Sequence, residues 1–470
     1  MHRYYQASYN GCLTMSQDAP KILIIGLGTG GLYASRAAQR FNRKTQITII
    51  EKRDYHMFSP CGIPYAIEGV VGSFEELKHS VPTTRSLQIR LQHEALEVDT
   101  EGKKVKVKNL VTGEEEWLGY DKLILATGSR AKILPVPGAK ESLGKGMYVV
   151  TTPEEGEILR EVALKSKTAA VIGGGAIGME IALALKHLGV EVHITKRSEP
   201  SLPRNLDPDM GKILTDHLLE KGLYVYFGKG IDSVNVNDKV ESVTIGGEVI
   251  PVDFVVMAAG IDSNIDLAEA ADIKCERGSI KTNKKMETNV PNIYAIGDNC
   301  WTHNMIDDSP ARTALATTAY RQAMVAGVNA AGGDREYNGT LGTFVTSVGD
   351  LEVSATGYNS SMAEAAGFKV ISGRANTMNK PTWIPGAKNI SIKIVADLET
   401  GKLLGGQSIG NEGTDWRINM IALGIRKGMT LEEFASVELA YCPPVSELYD
   451  PLLMATDVAL RRLAGAQRRR

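Results

Sequence analysis

Lys21-Ile22-Leu23-Ile24-Ile25-Gly26-Leu27-Gly28-Thr29-Gly30-Gly31 opens the regular part of the chain, an apolar run leading straight into glycines spaced GxGxxG. A short continuous apolar run suits a strand buried on both faces. Gly26, Gly28 and Gly31 stand where a strand-to-helix turn must tighten, admit a pyrophosphate and let the helix pack closely. Helical spacing follows from Leu32 to Phe41, then a second strand from Thr45 to Ile50, and Glu51 comes twenty residues past Gly31. A carboxylate there would accept hydrogen bonds from a ribose, so the stretch predicts a Rossmann-like dinucleotide-binding half. Tyr120 to Gly128 reads as its closing strand, with Thr127 and Gly128 in the turn and counted among the cofactor-binding residues.

The pattern then recurs. Ala169 to Ile172 leads into GGGAIG, placing Gly173, Gly175 and Gly178 at the fingerprint positions and Glu180 at the start of the next helix. The following strand, Glu191 to Ile194, ends in Thr195-Lys196-Arg197 where an NAD-selective site has an acid. A neutral residue and two cations remove the carboxylate that repels a 2′-phosphate and supply partners for it, which favours NADPH or mixed use. Val252 to Gly260 closes this half, and Thr288 to Asp298 reads as a strand ending in Gly-Asp, followed by a helix from about 311 to 331. Two dinucleotide sites in one chain point to hydride transfer between them.

Between these features lies Ser59-Pro60-Cys61-Gly62-Ile63-Pro64-Tyr65. Pro64 suits a first helical turn, which would set the Cys61 sulfur near a helix N-terminus and favour its thiolate. The alternative is a cysteine that simply packs as a small hydrophobe. From about 340 the fingerprints stop. Alternating segments at Gly342–Ser347, Asn389–Asp397 and Leu403–Gly410, then helical stretches around 414 to 437, predict a small antiparallel sheet with helices. Asp450-Pro451 opens a last helix.

Bulk properties narrow the function. The 470 residues are 43% hydrophobic with a net charge of −2, enough for real cores and no field for nucleic acid. No apolar run approaches the roughly 18 residues of a membrane span. The first 20 residues lack a signal peptide's apolar core, so the cytoplasm is the expected compartment. Met15 is an alternative start, and residues 1–20 read as an irregular extension. The five cysteines, Cys12, Cys61, Cys275, Cys300 and Cys442, are scattered and odd in number, with no metal-ligand spacing.

With these motifs in place, the chain from 21 to about 460 resembles the flavoprotein disulfide reductases. Within them it is most similar to the single-cysteine group of coenzyme A disulfide reductases, NAD(P)H oxidases and peroxidases, and polysulfide or persulfide reductases. The resemblance rests on SPCGIPY at 59–65, IGD at 296–298 and ELAYCPPVSELYDP at 438–451. It implies an α/β fold of two Rossmann-like domains, for FAD and NAD(P), plus an α+β C-terminal dimerisation domain. The expected division is 21–150 and 271–335 for FAD, 151–270 for NAD(P) and 340–470 for dimerisation. The resemblance further implies that Gly26, Gly28, Gly31 and Glu51 hold the FAD adenosine and pyrophosphate and that Asp298 bonds the ribityl chain. Gly173, Gly175 and Gly178 would bind NADPH or NADH, with Glu180 near the nicotinamide. Arg40 matches a basic position lining the coenzyme A channel, or is an exposed helix arginine; Ser59 is taken with it as substrate-binding. Tyr441 would reach across a homodimer toward the partner's Cys61.

The chain departs from its relatives at Phe58, where a serine is common, at Ala176, where a tyrosine often gates the flavin, and at Cys442, where most have alanine. Cys442 would resolve a mixed disulfide or merely pack; a redox role for Cys300 is a weaker expectation. Dithiol relatives carry a second cysteine five residues beyond the first, where this chain has Ala66. Oxidised Cys61 must therefore be a mixed disulfide with a small thiol, a persulfide or a sulfenic acid. The reading is NAD(P)H-dependent reduction of a coenzyme A-type disulfide, persulfide or polysulfide. The alternatives are an oxidase or peroxidase working through a sulfenic acid and a low-turnover redox sensor.

Overall fold

The computed structural model describes residues 19–199 and 201–469. Most of the expected N-terminal extension, Cys12 and the terminal Arg470 lie outside the described residues.

Two five-stranded parallel sheets carry the two fingerprints. In the first, strands run in the order Ile293–Ala295, Lys122–Leu125, Lys21–Ile25, Gln46–Ile50, Leu87–Arg90. In the second the order is Met147–Tyr148, Phe254–Met257, Thr168–Ile172, Glu191–Lys196, Tyr224–Phe227. Ile22, Ile24, Leu123 and Ile124 are buried in one, Ala169, Val171, Phe254 and Val256 in the other. Apolar residues on both faces are required because helices pack against one side of each sheet and a three-stranded antiparallel sheet against the other. A three-stranded antiparallel sheet is attached to each half, His93–Asp99 with Lys104–Asn109 and Glu115–Gly119, and Ile231–Val236 with Val240–Ile245 and Glu248–Pro251.

The C-terminal unit is a five-stranded antiparallel sheet in the order Phe344–Val348, Leu351–Gly357, Leu403–Gly410, Asn389–Asp397, Val370–Met378. Helices Thr414–Lys427, Leu431–Ala435 and Pro451–Gln467 cover it, joining Ile418, Ile421, Leu452 and Ala455 to Ile392 and Ile394. Gly373 lets the last helix approach: a Cβ there would lie 2.1 Å from the Ala455 carbonyl oxygen. Arg417 and Asp450, both almost fully buried, pair at 2.7 Å, and Asp450 also caps the last helix by accepting from the Leu452 N–H at 2.8 Å.

Several boundaries differ from the sequence reading. The strand expected over 288–298 is only Ile293–Ala295, bounded by Asn292 at φ +69° before it and Gly297 at φ +85° after it. The helix expected from 311 starts at Ala316, since Pro310–Ala311 pairs with Thr302–His303. The stretch at 414–437 is two helices, divided at Gly428 with φ +66°. Strands Leu351–Gly357 and Val370–Met378 were not anticipated. Small and polar residues interrupt their apolar alternation, and neighbouring strands supply the pairing.

Candidate functional site

The two glycine turns repeat one geometry. Gly26 and Gly173 take φ +101° and +127°, and a Cβ on either would strike the carbonyl oxygen of Ala126 or Ala258 at 2.3 or 2.1 Å. A Cβ on Gly31 would lie 2.0 Å from the Gly26 carbonyl oxygen, and on Gly178 1.9 Å from that of Gly173. These glycines bring the helices Thr29–Phe41 and Ala176–His187 against their strands. Gly28 and Gly175 are different. Each is the N-cap of its helix, neither helix has a side-chain cap, and a Cβ on either meets nothing within 4 Å. Open space before an uncapped helix N-terminus fits a pyrophosphate.

Both turns open into one cavity of about 2570 Å³. It is also lined by Glu51, Cys61, Thr127, Gly128, Glu180 and Asp298, and by Thr195, Lys196 and Arg197. Residues far apart in sequence are thus brought to one space. Arg40, exposed in the last turn of its helix, and Ser59, Tyr441 and Cys442 are not among the lining residues.

Glu51 accepts from the Leu27 N–H at 2.8 Å and from Arg53, whose guanidinium donates at 2.7 and 2.8 Å. Burial by itself would raise this carboxyl, but Arg53 and the Leu27 amide outweigh it and hold the group below its ordinary value. Arg53 was missed from sequence, although a cation two residues beyond the acid was its signal. Its guanidinium also lies 5.0 Å from the Phe58 ring centroid. Asp298, its carboxyl raised by burial, accepts from the Ser129 hydroxyl at 3.0 Å. Thr127 stitches the sheet edge, donating to the Asn264 carbonyl at 2.6 Å and accepting from Asn299 at 2.9 Å.

Register decides which residue of the second half corresponds to Glu51. Ile25 pairs with Ile50 and the Gly26 N–H donates to the Ile50 carbonyl at 2.8 Å; Ile172 pairs with Thr195 and the Gly173 N–H donates to the Thr195 carbonyl at 2.9 Å. Thr195 is therefore the mate of Ile50, and Lys196 the mate of Glu51. Thr195 is buried, and its hydroxyl donates to the Lys229 carbonyl at 2.5 Å. The Lys196 stem lies over Gly174, where a Cβ would come within 2.9 Å of its Cδ, and its ammonium sits 5.4 Å from the Phe227 ring centroid. Burial pushes the Lys196 amine down to about 8.

Cys61 sits in a single 3-10 turn, Pro60–Gly62, that runs into the helix Ile63–Glu68. A Cβ on Gly62 would press on Leu77 Cδ2 at 2.4 Å, so the buried Leu77 side chain would have to shift. Ser59, the N-cap of the turn, bonds His79 Nε2 through its Oγ at 2.8 Å. The sulfur is accessible from the cavity, yet its thiol is raised rather than lowered. Desolvation is the main cause, followed by the Glu180 carboxylate, with Asp298 adding to it. The expectation of a favoured thiolate is corrected: the helix that follows has six residues, and anions brought by the fold oppose its N-terminus. Glu180 is itself raised by burial and accepts a hydrogen bond from the Thr346 hydroxyl.

The remaining cysteines separate. Cys300 is buried beneath the Gly-Asp segment, 3.5 Å from the Gly297 carbonyl oxygen, with its thiol pushed far up by desolvation, so it is a core residue in this fold. Cys442 is exposed in the irregular stretch before the last helix, among Tyr441, Val445, Leu448 and Tyr449, all exposed. Among the described residues, no group of three or more His, Cys, Asp or Glu is placed to hold a metal, and no helix is long and apolar enough to cross a membrane.

Known proteins share this sequence pattern and fold. The family described as pyridine nucleotide-disulphide oxidoreductase matches residues 20–323, and its dimerisation domain matches 344–452. An NADH oxidase of Methanocaldococcus jannaschii is 35% identical over 95% of this chain and 100% of its own. A coenzyme A-dependent NAD(P)H sulfur oxidoreductase of Pyrococcus furiosus is 32% identical over 94% and 99%. Among solved structures, an NAD-dependent persulfide reductase from A. fulgidus superposes with a TM-score of 0.89 at 30% identity, covering 95% of this chain and 84% of that one.

Proposed function

The chain belongs to the pyridine nucleotide-disulphide oxidoreductase family, and on that premise we propose that it uses NAD(P)H and FAD to reduce a coenzyme A-type disulfide, persulfide or polysulfide through Cys61. One observation carries the reading: of the cysteines among the described residues, Cys61 alone lines the cavity into which both glycine turns open. The sulfur chemistry is supported by relatives named for sulfur and persulfide reduction.

When bound, FAD accepts a hydride from the nicotinamide and passes two electrons to a sulfur. Gly28 and Glu51 would hold its pyrophosphate and ribose, and Asp298 its ribityl hydroxyls. The second turn at Gly175 would orient the nicotinamide nucleotide, with Lys196 and Arg197 favouring a 2′-phosphate and so NADPH. The Cys61 thiolate attacks one sulfur of the substrate S–S bond, forming a mixed disulfide and releasing the other sulfur as a thiol or sulfide. Two electrons and a proton would then break that mixed disulfide, releasing the bound half as a thiol and leaving Cys61 as the thiolate. Ala66 offers no local resolving thiol, so the electrons must come from the cavity side. Exposed Tyr441, Val445 and Leu448 in the matched dimerisation unit fit a homodimer in which this stretch meets the neighbouring subunit. Few, scattered cysteines fit a reducing compartment, the cytoplasm.

The test is anaerobic NAD(P)H turnover on coenzyme A disulfide and polysulfide by wild type and Cys61→Ser. Loss of turnover with retained flavin is expected, and full turnover in the variant would sink the reading. A second reading, NAD(P)H oxidase, is favoured by the 35% identical relative of that name and by the small Ala176 lining the cavity. It predicts rapid oxygen uptake with NAD(P)H alone.

A further inference from the structure

Residues 201–206 lead from the Lys196-Arg197 pair into the helix Pro208–Glu220, and Leu202, Pro203, Arg204 and Asn205 line the same cavity as that pair. Leu202 takes φ +46°, and its carbonyl accepts the N–H groups of Asn205 and Leu206, both at 2.8 Å. A residue other than glycine persists in that left-handed region where its surroundings fix it. Here much of the fixing comes from the C-terminal unit. Asn359, only 1% exposed, stands just before the helix Ser360–Ala365, and its Nδ2 donates to the Pro203 carbonyl at 2.9 Å and to the Leu206 carbonyl at 3.4 Å. Its Oδ1 meanwhile accepts from the Met362 N–H at 2.9 Å, capping its own helix. Asp207, also buried, makes no side-chain cap on the helix it precedes. Its carboxylate turns to the C-terminal unit instead, accepting from the Ser360 N–H at 2.9 Å, the Ser360 hydroxyl at 2.8 Å, Lys393 at 2.8 Å and Gln407 at 3.0 Å. Leu202 and Leu206 join one core with Val353, Ala355 and Ile409 of the C-terminal sheet.

We propose that Asn359 is a positioning residue for nucleotide recognition: its amide holds the 201–206 loop so that the exposed side chain of Arg204 joins Lys196 and Arg197 on the cavity wall as a cation for a 2′-phosphate. The two ends of one side chain divide the work, Oδ1 serving the C-terminal helix and Nδ2 the loop of the nucleotide half. A loop anchored before the ligand arrives loses less conformational freedom on binding, so the anchor raises affinity without touching the ligand. The C-terminal unit thereby takes part in nucleotide choice within its own chain, besides any part in a dimer. The inference rests on the reading that Lys196 and Arg197 meet a 2′-phosphate, and two adenosine probes separate its failure from the failure of that reading.

Adenosine 2′,5′-bisphosphate and adenosine 5′-monophosphate are titrated calorimetrically into the full-length, flavin-loaded protein. Asn359→Ser keeps a residue that caps the helix and removes the donor to the loop. Its Kd for the bisphosphate is expected to rise about three- to tenfold, with that for the monophosphate little changed. The KM for NADPH should rise with it while kcat at saturating NADPH holds, and hydrogen exchange should quicken in the peptide covering 201–207. Asn359→Asp, of the same shape and also a capping residue, replaces Asn359→Ser if the latter does not fold. Arg374→Met breaks an ion pair to Asp209 across the same contact without a bond to the loop, and should leave both Kd values as in wild type. Wild-type binding of the bisphosphate by the Asn359 variant, an equal loss for both probes, or the same loss in Arg374→Met overturns the proposal. Wild-type protein that binds the bisphosphate no tighter than the monophosphate overturns it together with the 2′-phosphate reading.

Discussion

Replacing Lys196 with glutamate imposes on the second nucleotide half the charge that the first half carries at Glu51. Strand register makes the two positions equivalent. A charge-assisted hydrogen bond from the ammonium to a 2′-phosphate contributes about 1.5–3 kcal/mol. The new carboxylate adds repulsion of about 4 kcal/mol at roughly 4 Å and an effective dielectric of about 20. Partial exposure of the site reduces that to about 1 kcal/mol. The expected loss for NADPH is therefore about two to three orders of magnitude in kcat/KM, at roughly 1.4 kcal/mol per decade. NADH should gain up to about tenfold as the carboxylate accepts from the ribose. The assay is anaerobic kcat/KM with each nucleotide at fixed disulfide, beside calorimetric binding of adenosine 2′,5′-bisphosphate. Titration supplies an internal control. Burial pulls the Lys196 amine down to about 8, so this cation is lost as pH rises through that value. Wild-type kcat/KM for NADPH should fall above about pH 8 while that for NADH does not. An unchanged NADPH/NADH ratio in Lys196→Glu, or coincident pH profiles for the two nucleotides, would refute the assignment.

Further expectations concern stability and access. Arg417→Ala should cost about 3–5 kcal/mol by stranding the buried Asp450, read as a lower urea midpoint, whereas Arg417→Met with Asp450→Asn should cost less. Gly31→Ala drives a Cβ into the Gly26 carbonyl and should destabilise even the flavin-free protein by about 1–3 kcal/mol. Gly28→Ala, with open space before it, should keep the fold and lower flavin retention, measured by absorbance after gel filtration. Glu51 is depressed in the fold, so its contribution is present above its unfolded value and lost as pH falls through the folded one. Arg53→Met should move acid-induced flavin release to higher pH. Under native conditions Cys61 and Cys442 should alkylate while Cys300 stays unmodified until unfolding.

The two nucleotide halves were legible in the chain itself, because the requirements of a glycine turn are local. Gly26, Gly31, Gly173 and Gly178 occupy places where a Cβ meets a backbone oxygen, and no distant residue relaxes that demand. The apolar runs before them mark buried strands for the same reason, and the position of Cys61 between the halves needed no coordinates. What surrounds these residues was settled only by tertiary structure. The mate of Glu51 is Lys196 rather than Thr195 because interstrand hydrogen bonds, not spacing from a glycine, set the register. The Cys61 thiol is raised because the fold desolvates it and brings Glu180 and Asp298 near it. The effect on Cys61 depends on the placing of residues over a hundred positions apart, which pattern along the chain does not encode.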